Sequence, residues 1–213
     1  MLMTFRPTSR AVFLWGAAML TVLGDPAEAQ TFEDNVDSVS LLREASVEYR
    51  VLATLRTSTM EKELNEVAAE GFRFQGVMGG ATAFGGSQVV SLVMRGADAE
   101  GGRHSYRVLA TSRTSSMQKE MQEVGRDGYL YRGQTVYSSM FGGDEVVVIM
   151  ERDEVGPPRQ YDYQLLATSR TSTLETELNK VGQDGFRLVG ITVAATVFGG
   201  DEVVVLTERV TDR

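Results

Sequence analysis

The chain repeats itself at a fixed spacing of 57 residues. Tyr49, Tyr106 and Tyr163 align, and the register runs without a gap to Arg95, Arg152 and Arg209. Of the 47 positions from Tyr106 to Arg152, 26 are identical to the residue 57 positions later, and 17 are identical in all three copies. Sequences this similar share local preferences and apolar patterns, so they fold as three copies of one unit. The copies span residues 47–97, 104–154 and 161–211, joined by "GADAEGGRHS" (96–105) and "DEVGPPRQ" (153–160). Glycine runs and a Pro-Pro pair mark these joints as linkers or tight reversals. His104, the one histidine, falls in the first joint and reads as a solvated linker residue. Identity this high also means that triplication alone says little about function, because residues are shared by descent within the chain.

Within one copy the pattern predicts β-α-β-β. "SYRVLAT" (105–111) is rich in strand formers. "SSMQKEMQEVGRD" (115–127) places Met117, Met121 and Val124 on one helical stripe, matched by Met60, Leu64, Val67 and by Leu174, Leu178, Val181. Ser58, Ser115 and Ser172 are followed three residues later by Glu61, Gln118 and Glu175, the pattern of a capping box. Gly71, Gly128 and Gly185 lie between an acid and an aromatic, where a left-handed glycine closes a helix. The second strand ("FRFQGV", "YLYRGQ", "FRLVGI") alternates, so one face is buried. Phe84-Gly85-Gly86, Phe141-Gly142-Gly143 and Phe198-Gly199-Gly200 signal hairpin turns. The third strand is the most apolar, which places it centrally, in the order 1-3-2. A right-handed crossover makes strands one and two parallel. The expected fold is α+β, with three tandem β-α-β-β repeats. Each is a small mixed sheet with one helix on one face. Because a unit of this size is marginal alone, the three pack together.

The N-terminus follows a different logic. Arg6 and Arg10 precede an apolar run, residues 11–24, and Ala27-Glu28-Ala29 follows it. This reads as a secretory signal peptide, 1–29, cleaved after Ala29, with a leader at 30–46 ahead of the first repeat. The run is short for a membrane span, so no integral segment is expected after cleavage. The expected location is periplasmic or secreted. The formal net charge of -8 argues against nucleic acid and anionic membrane faces as main partners. The absence of cysteine excludes disulfides, thiolate metal sites and cysteine nucleophiles.

The stretches "YRVLAT", "MEKELNEVAAEGF" and "VVVLTER" resemble the small bacterial domains grouped as domain of unknown function 4177. The resemblance covers most of the chain after the leader. That family has tryptophan after the helix-ending glycine, where this chain has Phe72, Tyr129 and Phe186. The resemblance implies a fold and carries no assigned chemistry.

No nucleotide-binding loop or metal-ligand cluster occurs, and no cofactor is expected. Asp144-Glu145 and Asp201-Glu202 are adjacent carboxylates, but neighbours on a strand point to opposite faces and serve concerted acid–base work poorly. No catalytic constellation is recognised. The best site candidates are Arg56, Ser58, Arg113, Ser115, Arg170 and Ser172, because an arginine at a helix N-terminus favours an anion. The competing reading is a local ion pair of each arginine with Glu63, Glu120 or Glu177. The expected function is an exported, non-enzymatic binding or assembly scaffold, working through a protein partner or self-association. The alternative is a sensor or carrier of a small anion using the Arg-Thr-Ser loops.

Overall fold

The computed structural model describes residues 46–81, 87–138, 144–195 and 201–211. The signal-peptide reading, all but the last residue of the leader, and the three Phe-Gly-Gly turns lie outside them. The first module holds β1 (Val47–Thr54), α1 (Thr57–Ala69), β2 (Arg73–Ala81) and β3 (Ser87–Gly96). The second holds β4 (His104–Thr111), α2 (Thr114–Arg126), β5 (Leu130–Ser138) and β6 (Asp144–Asp153). The third holds β7 (Gln160–Thr168), α3 (Thr171–Gln183), β8 (Arg187–Ala195) and β9 (Asp201–Thr211). The three sheets have the orders β1-β3-β2, β4-β6-β5 and β7-β9-β8.

Every neighbouring pair is antiparallel, so the sheets are antiparallel rather than mixed. The physical reason lies in the strand order itself. The outer strands run in the same direction, but the central strand separates them, and no parallel ladder forms.

Helix ends form as the glycines predict. Gly71, Gly128 and Gly185 have φ of 91°, 90° and 83°. The following aromatic N–H donates to the carbonyl five residues back, Phe72 to Val67, Tyr129 to Val124 and Phe186 to Val181. This paired closure satisfies carbonyls that would otherwise be orphaned. A repeated arginine completes the device. Arg95, Arg152 and Arg209 stack on the rings of Phe72, Tyr129 and Phe186, and donate to the carbonyls of Glu70, Asp127 and Asp184 at the helix ends.

Helix starts differ from the expectation. The N-caps are Arg56, Arg113 and Arg170, in extended backbone, and none of their side chains makes a capping hydrogen bond. Ser58, Ser115 and Ser172 are the second residues of their helices, already inside the first turn. Thr54, Thr111 and Thr168 bridge the loop instead, each hydroxyl accepting from the arginine N–H two residues on.

The modules stack as alternating layers, sheet on helix on sheet. One core joins α1 (Met60, Leu64, Val67) and the near face of the first sheet (Val89, Val93) to Tyr106, Val147 and Ile149 of the second. The other joins α2 (Met117, Met121) and Val148 and Met150 of the second sheet to Tyr163, Val204 and Leu206 of the third. Each of α1 and α2 therefore lies between its own sheet and the next. This explains how units too small for a private core gain one.

Gly125 sits where α2 meets β7. A Cβ there lies 2.4 Å from the Tyr161 carbonyl oxygen and 2.8 Å from the Tyr163 ring, whereas a Cβ at the equivalent Gly182 of α3 meets nothing within 4 Å. Gly125→Ala is thus expected to cost about 1–3 kcal/mol by overpacking. Gly182→Ala is expected to stabilise by up to about 1 kcal/mol through helix propensity. Urea midpoints of the two variants check the opposite signs.

Candidate functional site

Each module presents its Arg-Thr-Ser loop separately. Arg56, Arg113 and Arg170 are exposed. No ion pair joins them to Glu63, Glu120 or Glu177 among the described residues, so the local-pair reading of these arginines does not hold. None of the three loops lines the clefts described below. Glu145 and Glu202 sit at the starts of β6 and β9, opposite Tyr137 and Ala194.

Two of the residues read as capping-box partners, Glu61 and Gln118, do something else. Glu61 Oε2 accepts from the Val108 N–H at 2.9 Å. Asn65, one turn on, accepts from the Tyr106 N–H at 2.9 Å and donates to the Tyr106 carbonyl at 3.0 Å. Both therefore pair the free edge of β4, in the next module. At the next junction Gln118 accepts from Leu165 N–H at 2.7 Å and donates to the Tyr163 carbonyl at 2.6 Å, while Gln122 Oε1 accepts from Tyr163 N–H at 3.1 Å. An edge strand carries unpaired polar groups that invite association, and here helix side chains satisfy them. The tyrosine completes the lock: Phe74 N–H donates to Tyr106 Oη at 2.9 Å, and Tyr131 N–H to Tyr163 Oη at 2.8 Å. The sequence signal for this interface was the helix pair at i and i+4, Glu61/Asn65, Gln118/Gln122 and Glu175/Asn179, which recurs in every copy.

The densest polar cluster lies at the first junction. Glu151 is 4% exposed. Arg73 donates through Nη2 at 2.7 Å and Nε at 3.1 Å, and Tyr106 Oη donates at 2.8 Å. Arg132 Nε stands 3.7 Å away and His104 Nδ1 3.9 Å away. Burial alone raises the Glu151 carboxyl, but the Arg73 hydrogen bonds, Arg132 and Tyr106 outweigh it and hold it below the usual range. His104 is not a solvated linker residue. It opens β4 with its side chain 13% exposed, and burial lowers its pKa against the pull of Glu151. The joint is shorter than its glycine content suggests, because β4 begins inside it.

A cleft of about 560 Å³ adjoins this cluster, lined by Arg73, Glu151, Arg152 and the 156–159 stretch of the second joint. A shallower groove of about 520 Å³ runs across β2, β5 and β8 beside Gly76, Gly133 and Gly190. With Glu151 held by three donors, the cluster acts as a clamp between modules one and two. No group of three or more His, Asp or Glu residues suited to a metal ion occurs among the described residues. No helix among them is long and apolar enough to cross a membrane.

The third module breaks this pattern. Glu208 is the counterpart of Glu151, but Leu130 stands where Arg73 stands in the first module. Glu208 is 8% exposed, and its Oε2 has no hydrogen-bond partner among the described residues. Burial raises its pKa, with Arg187 opposing. Burial, then Glu208, push the Tyr131 phenol up to about 12. A native pKa above the unfolded value means that stability is lost as pH rises through it. Glu208→Gln is therefore expected to raise the urea midpoint at neutral pH. The gain should vanish below the ordinary glutamate range, where the wild-type carboxyl is protonated in both states.

The chain matched no family model, no curated protein and no solved structure in comparison with each.

Proposed function

We propose that this protein is an exported, non-enzymatic scaffold whose stacked modules present association surfaces at both ends. One observation carries the reading. Of eleven large apolar side chains exposed among the described residues, six (Val47, Tyr49, Val51, Leu55, Met78, Leu92) belong to the first module. Four (Leu188, Ile191, Val193, Val210) belong to the third, Val155 lies in the joint, and none belongs to the second. Apolar surface gathered on faces that the same fold buries elsewhere marks interaction sites. Export rests on the Arg6–Ala29 pattern, and kinship with the family named above rests on the quoted motifs. Affinity capture from the native envelope with tagged protein is expected to return a protein partner or further copies of the chain. Capture of nothing, with no self-association by light scattering, would remove the reading. Mass spectrometry of the exported chain is expected to find Gln30 first, and an intact Met1 would remove the export claim.

A second reading rests on the exposed arginines. Arg56, Arg113 and Arg170 offer three equivalent guanidinium groups beside helix N-termini, suited to a small anion. Titration with phosphate, sulfate and acetate, against Arg113→Ala, tests it. Absence of heat with every anion removes it.

A further inference from the structure

We propose that the chain associates head to tail with a second copy, α3 and β8 of one packing on the outer face of the first sheet of the next. The inference deepens the scaffold reading and rests on it.

The stack has two unlike ends. At one end, α3 has its own sheet on one side and no following sheet on the other. Leu174 and Leu178 are half-buried where Met60, Leu64, Met117 and Met121 are buried. Glu175 and Asn179 are exposed. These are the same two residue types, at the same positions, as Glu61 and Asn65, which pair the edge of β4. At the other end, Tyr49 is 62% exposed where its counterparts Tyr106 and Tyr163 are 2% exposed. Leu92 is 46% exposed where Ile149 and Leu206 are fully buried. β1 thus offers the tyrosine, the apolar face and the strand edge that a preceding helix covers in modules two and three.

The glycines give an independent sign of the same fit. Gly76, Gly133 and Gly190 are identical in the three copies. A Cβ at Gly133 meets the Phe74 ring at 3.4 Å, and one at Gly190 meets Tyr131 Oη at 2.6 Å; in both cases the neighbour is the aromatic of the preceding module. A Cβ at Gly76 meets nothing within 4 Å. Leu188 occupies the position of Phe74 and Tyr131, and is 56% exposed. Seated on a second copy, Leu188 fills the space above Gly76. Its N–H then donates to Tyr49 Oη, as Phe74 N–H does to Tyr106 Oη. Asn179 brackets Tyr49, and Glu175 accepts from Val51 N–H. Each internal junction supplies the template for one contact of this external one.

The two surfaces differ, so the contact is heterologous. It propagates into a filament, or closes into a ring if the rotation per copy permits.

Sedimentation velocity over a range of concentrations tests the proposal. The wild-type chain is expected to form a concentration-dependent series of oligomers. Tyr49→Asp and Asn179→Arg, at sites that touch no internal core, are each expected to leave a folded monomer that melts as the wild-type chain does in dilute solution. Mixing the two variants is expected to give a one-to-one dimer and nothing larger, because each retains one intact end. A wild-type chain that stays monomeric overturns the proposal. So do oligomers that respond to Tyr49→Asp but not to Asn179→Arg, which indicate a two-fold contact of sheet on sheet. If the chain is monomeric but affinity capture still returns a different protein, the scaffold reading survives and this one does not.

Discussion

Leu64→Ala and Met121→Ala are each expected to lower the unfolding free energy by about 2–5 kcal/mol, while Leu178→Ala costs under about 1 kcal/mol. The three positions are equivalent in the repeat, and a sequence comparison gives no reason to separate them. Burial separates them. Leu64 and Met121 are fully buried between two sheets, whereas Leu178 lies on a helix with a sheet on one side only. Truncation between two layers loses the transfer energy of the removed atoms and leaves a cavity that rigid neighbours cannot close. Truncation at the open layer leaves a dent that water fills. Urea denaturation in dilute solution, where the ends of the stack are free, measures the three values. Equal losses at all three positions would show that the modules are stabilised independently and that the layered core is not the source of stability.

The same contrast explains what a reader of the sequence could and could not see. The β-α-β-β order and the glycine helix ends were legible because each rests on residues a few positions apart, and the 1-3-2 arrangement because the continuous apolar run of the third strand places it centrally. The apolar stripe of Met60, Leu64 and Val67 and the Gly71-Phe72 closure are local patterns with one common outcome. The role of Glu61 was not legible. Ser58-x-x-Glu61 satisfies the capping-box pattern, yet the carboxylate goes to Val108, 47 residues away. A tertiary partner took a side chain whose local option was worth about 1 kcal/mol. His104 was misplaced for a related reason. Glycines on its N-terminal side look like linker, but Tyr106 needs its strand to start early enough to reach Asn65 and Phe74. Arg56, Arg113 and Arg170 of the candidate loops are exposed.

The outcome for Arg73 follows from the same inter-module logic. Arg73→Leu is expected to cost about 3 kcal/mol at neutral pH, because it leaves the buried Glu151 carboxylate with fewer donors than its desolvation requires. Arg73 is half exposed and Arg132 stands close by, which keeps the loss at the lower end of the range for broken buried pairs. The pH dependence identifies the origin. The native pKa of Glu151 lies below its unfolded value, so its contribution is present above the ordinary carboxylate range and is lost as pH falls through the native value. The gap between wild type and Arg73→Leu should therefore be widest near neutrality and close under acid conditions. Adding Glu151→Met is expected to recover most of the loss at neutral pH, since the charge that lacked a partner is gone. Methionine already fills the equivalent position, Met94, in the first module. Urea midpoints at neutral and acid pH for the wild type, the single variant and the double variant settle the matter. A loss that is the same at both pH values, or that Glu151→Met fails to relieve, would place the effect in the packing of the arginine stem and not in the buried charge.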